Sequence, residues 1–247
     1  ITGSPGTANS AGRFSPELEP IDMERVEVLR GPQGTLYGGG AMGGAIRYVS
    51  NKPDSSAFSA RLEGGATTFE GNFGYEGSAV VNFPLVEDKL ALRLVGYRRD
   101  RDGFIDNVVT GESDINGVEN TGGRVALGWT PNDSVQVIAT YYYEDFTADS
   151  RGIVHTDLGD LQTKNPATTG SDDETSIFNI TAEATTDWAD VMYSFSNFKR
   201  DLLYRYPTAI DIFGGFAPET NFGGQLLIQP QDVDMDTHEL RFTSNQE

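Results

Sequence analysis

From Phe58 onward, apolar and polar residues alternate with a period of two. Phe58, Ala60, Leu62, Gly64 and Ala66 alternate with Arg61, Glu63 and Thr67, and the same rhythm returns in Phe73–Phe83, Leu90–Arg99, Arg124–Thr130, Val135–Glu144, Phe178–Ala184, Ala189–Ser196 and His238–Thr243. Successive side chains of a strand point to opposite faces, so each stretch predicts a strand with one apolar and one polar side. Eight strands are expected, each close to the roughly ten residues that cross a bilayer at a tilt. Leu90, Leu92, Leu94, Val135, Val137 and Phe178 fall on the apolar side; Arg93, Gln136 and Glu183 fall on the other. A soluble sandwich or a lipocalin-like barrel also alternates, with its apolar face turned inward.

The connections separate these possibilities. Pro84–Asp88, Thr130–Ser134 and Thr185–Asp187 are tight, whereas Asp102–Glu119, Ala148–Asp173 and Leu203–Asp234 are long and polar; Glu70-Gly71-Asn72 makes a brief first hairpin. Short turns on one side and long loops on the other are the asymmetry of outer-membrane barrels, and compact soluble domains rarely hold several structureless loops of such length. Trp129, Tyr141 to Tyr143, Trp188, Phe195 and Phe198 lie near strand ends, where interfacial girdles place aromatics. Arg61, Glu63, Glu76, Arg93, Arg99, Arg124, Glu144 and Glu183 make the other side too charged for a dry core.

Ahead of the alternating region stands a different texture. Ile1–Pro20 is rich in Gly, Ser, Pro and Asn and predicts a loop, with Arg13 and Phe14 in its middle. Glu24–Leu29 alternates as a half-buried strand, with Val26 and Val28 on one side and Glu27 on the other. A Gly31-Pro32 turn and the glycine-dense Gly38–Gly44 follow, and Ala45–Val49 predicts a second strand ended by Asn51-Lys52-Pro53. Gly38-x-Gly40-x-x-Gly43 formally matches a dinucleotide fingerprint, but that motif opens a helix and Ala45–Val49 is strand-like. No Gly-Lys-Ser/Thr follows to make a phosphate loop.

Composition narrows the function classes. The 247 residues suffice for one large β domain or two ordinary ones. With no Cys there are no disulfides, thiolate metal sites or cysteine nucleophiles. A net charge of −19 argues against nucleic acid as a partner, because a binder must neutralise phosphates. No apolar run approaches the roughly 18 residues of a spanning helix, which leaves strand-built membrane proteins open. Asp100–Asn107 contains Asp-x-Asp-Gly without the remaining ligands of a calcium loop, and neither His155 nor His238 has metal-ligand company, so no metal site and no cofactor are expected. Asp172-Asp173-Glu174 reads as a solvated charge run before a strand. Asp201–Phe222 is the most ligand-like connection: Tyr204, Tyr206, Phe213, Phe216 and Phe222 lie among Gly and Pro, either to stack on a ligand or to pack the loop on its neighbours. His155 is placed to touch a metal chelate from a long loop or to be solvated there. No nucleophile–base–orienter constellation is present, so no enzyme is expected.

The stretch Glu24-Arg25-Val26-Glu27-Val28-Leu29-Arg30-Gly31-Pro32-Gln33-Gly34-Thr35-Leu36-Tyr37-Gly38, with Ala41-Met42-Gly43-Gly44-Ala45-Ile46 and Asn51-Lys52-Pro53, resembles the end of the plug domain of TonB-dependent outer-membrane receptors. Arg30, Gly31, Pro32, Gly34, Tyr37, Gly38, Gly43 and Gly44 carry the signature. The resemblance implies a mostly β fold: residues 1–53 as the C-terminal part of a plug, and residues 54–247 as the N-terminal part of a large antiparallel transmembrane barrel, eight of about 22 strands. It implies energy-coupled uptake of a scarce ligand (siderophore-iron, cobalamin, haem, a glycan or similar), with an inner-membrane TonB-type complex, the small-molecule ligand and outer-membrane lipid as partners. Arg13, Phe14, His155, Tyr204, Tyr206, Phe213 and Phe216 are the candidate ligand contacts. A signal peptide and a TonB box are expected upstream of Ile1 and further strands after Glu247, so the strands near Phe58 and Thr243 are not expected to pair. A passive outer-membrane channel and a soluble β-sandwich binding protein are the alternatives. The first has no use for the plug signature, and the second leaves the loop asymmetry unexplained.

Overall fold

The computed structural model describes residues 19–34, 41, 43–150, 152–165, 169–207 and 226–245. The chain divides into two compact units, Ile1–Lys52 and Pro53–Glu247. In the first, β1 (Met23–Arg30) and β2 (Gly44–Ser50) form an antiparallel ribbon. Val26 faces Tyr48 and Val28 faces Ile46 across it. The expectation of a half-buried strand with the valines inside is not met among the described residues. Val26 is 51% exposed and Val28 65%, while Glu27, which accepts from Arg25 and Arg47, is more covered.

The second unit is one open antiparallel sheet of eight strands, in the order β12-β11-β10-β8-β7-β5-β4-β3. Its strands are β3 (Ser59–Phe69), β4 (Asn72–Val86), β5 (Leu90–Arg101), β7 (Val118–Asn132), β8 (Val135–Ala148), β10 (Gly170–Thr185), β11 (Ala189–Pro207) and β12 (Leu226–Ser244). Two short pieces, β6 (Asp106–Asn107) and β9 (Gln162–Thr163), pair with each other in parallel. The first and last strands of the large sheet, β3 and β12, lie at opposite edges and do not pair, as expected.

Register bears out the two-sided pattern. Phe83, Leu92, Leu127, Ala139, Ile180, Phe195 and His238 stand opposite one another in succession from β4 to β12 and so share one face. One residue along, Asn82, Arg93, Ala126, Thr140, Asn179, Ser196 and Thr237 share the other. Because a one-residue slip would exchange the faces, eight strands in a common register make the division sharp. Tyr142 and Phe198 depart from the expected girdle: Tyr142 pairs with Arg124, and Phe198 pairs with Ile177 and is buried, so both lie on the polar face.

The strands run further than the alternation does. Tyr204 and Tyr206 belong to β11, not to a loop. The long connections shrink to 102–117, 149–169 and 208–225. Asp172, Asp173 and Glu174 lie within β10 and not ahead of it; Asp173 accepts from Arg200 and Asp172 from Arg205. Past the apolar band charged and apolar residues no longer alternate, so the period-two signal stops while backbone pairing and cross-strand ion pairs continue the ladder.

Candidate functional site

The chemistry gathers at the end of the sheet that carries the long connections and on the polar face. At that end β3 turns into β4 through Glu70 (φ 50°) and Gly71 (φ 87°), both left-handed as a two-residue type I′ hairpin requires. The hairpin docks on the 102–117 connection. Asn72 Nδ2 donates to Asp114 Oδ1 at 2.9 Å, Phe69 meets Phe104 edge-on at 4.8 Å, and Asp102 N donates to Phe73 O at 3.0 Å. Gly103 fits only because it lacks a side chain: a Cβ there would stand 1.9 Å from Asp114 O.

The 102–117 and 149–169 connections are in turn clasped together. Asp106 N donates to Leu161 O at 2.9 Å and Val108 N to Thr163 O at 2.9 Å, which makes the β6–β9 bridge. Asn107 Nδ2 donates to Asn165 O at 3.0 Å, and Asn107, Thr163, Asn165 and Thr169 are all at most 2% exposed. Buried polar groups of this kind hold a loop in one conformation only when their bonds are made. His155 belongs to the clasp. Its Nδ1 accepts from Lys164 N at 3.3 Å and lies 3.1 Å from Thr163 Oγ1, so Nε2 is the ring atom left for a ligand. Burial lowers the His155 pKa, the Lys164 charge lowers it further, and Asp157 opposes both. Lys164 Nζ and Asp157 Oδ2 pair at 2.7 Å, which holds the Asp157 carboxyl below its ordinary range.

On the polar face, the Tyr97 and Tyr142 hydroxyls both donate to Glu144 Oε2, and Arg124 is buried beside them in register with Tyr142. Nearer the long connections, Arg200 holds Asp173 with two nitrogens, 2.8 and 2.5 Å from its oxygens. At the opposite end, Asn82 is fully buried and fastens the segment entering β3. Its amide donates to Asp54 O and Ala57 O, each at 2.8 Å, and its carbonyl accepts from Asp54 N at 2.9 Å. Sequence alternation placed Asn82 on the polar face without showing this role; only the fold brings residues 54–57 to it.

In the first unit the described signature residues stand where β1 ends and β2 begins. Arg30 ends β1 opposite Gly44, Gly31 is left-handed (φ 84°), and Gln33 N donates to Ala41 O at 2.8 Å. Gly44 has φ 147°, and a Cβ there would lie 2.5 Å from Leu29 O. Arg13, Phe14, Tyr37, Gly38, Phe213, Phe216 and Phe222 lie outside the described residues, as does the side chain of Tyr206. Tyr204 stands on β11 opposite Ser171 and Gln229, on the polar face. His155 and Tyr204 therefore occupy the long-connection end, but nothing described brings them together. Among the described residues no group of three or more His, Asp and Glu could hold a metal ion.

Comparison with known proteins gives a consistent picture. Residues 3–45 match the family model of the TonB-dependent receptor plug domain. The chain is similar to the pesticin receptor of Yersinia pestis, 36% identical over 112 residues, which is 45% of this chain and 16% of that protein. It is similar to the metal-pseudopaline receptor CntO of Pseudomonas aeruginosa, 38% identical over 101 residues, 40% of this chain and 13% of that one. Its fold resembles the crystal structure of the ferric yersiniabactin uptake receptor FyuA from Yersinia pestis, with a TM-score of 0.73 at 23% identity, covering 92% of this chain and 34% of that one. The chain thus spans about a third of the length of that solved receptor and a smaller share of the two curated relatives.

Proposed function

The chain belongs to the TonB-dependent receptors, multi-pass β-barrels of the Gram-negative outer membrane, and from that membership we propose that it serves energy-coupled uptake of a metal chelate of the siderophore type. In this proposal residues 1–53 are the end of the plug and residues 54–247 the first strands of the barrel. The observation that carries it is the presence, on one chain, of the glycine signature, with Arg30 and Gly44 paired across β1–β2, and of an eight-stranded sheet of one apolar and one polar face. A passive channel has no need of the first, and a soluble sandwich buries its apolar face. The named ligands of the relatives, metal-pseudopaline and ferric yersiniabactin, favour a metal chelate over a sugar or cobalamin.

The chelate is captured at the long-connection end, for which His155 (through Nε2) and Tyr204 are the described candidates; Arg13, Phe14, Tyr206, Phe213 and Phe216 remain candidates from the sequence alone. A TonB-type inner-membrane complex then acts on the plug, and the barrel does no covalent chemistry. The tight turns face the periplasm and the 102–117, 149–169 and 208–225 connections face the medium. Uptake of a radiolabelled ferric siderophore panel by cells producing the intact receptor tests this. Accumulation of at least one chelate should stop when the proton gradient is collapsed, with surface binding retained. Accumulation that continues without the gradient would establish a passive channel instead.

A further inference from the structure

The apolar face of the sheet carries a depression. On β8, Ala139 stands between Leu127 of β7 and Ile180 of β10, and this small side chain among large ones leaves a groove of about 500 Å³. Leu90, Trp129 and Val137 continue its walls toward the tight turns, and Lys89 stands at its mouth. The volume lies within the roughly 300–1,000 Å³ of small-molecule sites. The groove is interior to the sheet, with β3 and β4 on one side and β11 and β12 on the other, and it is open along the apolar face.

The charge at its mouth says what fills it. The tight connections of this sheet carry Glu87, Asp88, Asp133 and Asp187, and Lys89 is their only cation. Lys89 is held by its backbone, N donating to Val86 O at 3.0 Å and O accepting from Thr130 N at 2.7 Å. Among the described residues no carboxylate pairs with its ammonium. A lone cation at the end of an apolar groove, with an indole beside it, fits an amphiphile whose anionic head meets the amine and whose chain lies along Ala139.

We infer that this groove is a specific site for one glycerophospholipid of the leaflet at the tight turns, its phosphodiester on Lys89 and one acyl chain along Trp129, Ala139 and Ile180. The inference rests on the outer-membrane placement of the barrel with its tight turns in the periplasm. It adds a defined lipid to the general solvation that every lipid-facing strand receives.

Trp129 is a built-in reporter. The intact receptor is titrated in detergent with phosphatidylglycerol carrying brominated acyl chains, and with brominated diacylglycerol, which lacks the phosphate. Subtracting the Trp129→Phe variant isolates the groove signal. Quenching by the phospholipid should saturate at a lower mole fraction than quenching by diacylglycerol. Lys89→Gln should raise the half-saturating fraction about fivefold and Lys89→Arg should not, since one lysine near an anionic surface contributes about that factor. Ala139→Leu, on the lipid side and therefore tolerated, should raise it as well. Identical curves for wild type, Lys89→Gln and diacylglycerol would overturn the specific site and leave the barrel placement intact. Shielding of Trp129 from both lipids, with Ala139→Cys cross-linking two receptors, would assign the groove to a second copy. Quenching of Trp129 by aqueous acrylamide but by neither lipid would overturn the barrel placement itself.

Discussion

Single residues fix the parts that the alternation leaves free. Asn82 binds the chain at three points where it enters β3, and Asn82→Ala would leave Asp54 and Ala57 carbonyls and an amide without partners in a buried site. A loss of about 2 kcal/mol is expected, read as earlier thermal unfolding of the receptor. Two of the signature glycines, Gly31 and Gly44, differ in kind. Gly31→Ala meets no atom within 4 Å and costs only the left-handed backbone, about 1 kcal/mol. Gly44→Ala drives a methyl into Leu29 O and should cost more, opening β1–β2 to limited proteolysis where Gly31→Ala does not. His155 sets a pH dependence. Its folded pKa lies below the ordinary value, so its contribution to the clasp is complete above about pH 6.5 and drains away as pH falls from there toward the folded value. Hydrogen-exchange protection factors in the 102–117 and 149–169 connections, corrected for the intrinsic rate, should therefore fall between pH 7.5 and 5.5, and this fall should be smaller in His155→Gln. An equal fall in both would place the sensitive group elsewhere.

At the scale of the strand, alternation was legible wherever one face met apolar surroundings and the other did not. Leu90 to Gly96 and Val135 to Tyr143 could be assigned to faces from the sequence alone. It failed beyond the apolar band, and for a physical reason. The β11 and β12 strands have 19 residues each, against the roughly ten a bilayer needs, and in the outer end of β11 charged and apolar residues share a face, as Arg200 and Leu202 do. There the register is held by pairs such as Arg200 with Asp173, which a charge run in sequence does not announce. Asp173→Ala would take two charge-assisted bonds from a guanidinium whose side chain is only 7% exposed, a cost on the order of 3 kcal/mol. The same ends carry a conflict. Asp145, Glu174, Asp201 and Asp232 stand directly opposite one another across β8, β10, β11 and β12 on one face. Like charges in that position repel, so Glu174→Gln should raise the melting temperature at low salt, with the gain shrinking as salt is added. A lower melting temperature in the variant would mean that the ladder is neutralised by bound cations.

For the whole molecule, the division into lipid-side and lumen-side positions makes the broadest prediction. Leu94→Arg or Phe178→Arg, further along the strands from the tight turns than Trp129 and Val137, should cost about 2–4 kcal/mol, and Thr140→Arg on the polar face little, measured by reversible unfolding into detergent or lipid. Equal costs at Phe178 and Thr140 would mean that the sheet is not in a bilayer. The sequence disclosed the class of molecule through two independent signals, the glycine signature and the unequal connections. It did not disclose the joining of those connections, because Asp106–Asn107 and Gln162–Thr163 are too short and too far apart to pair on any local pattern. That joining has an immunological consequence. With the long connections on the cell exterior, as proposed, an antibody would meet at this end a composite of two segments, one at Asp106–Asn107 and one at Gln162–Thr163, set against a hairpin tip at Glu70. Sera raised against linear peptides from either segment should bind denatured receptor and miss intact cells, whereas sera raised against the folded protein should lose most of their titre on blotting; vaccine antigens drawn from this surface must keep both segments.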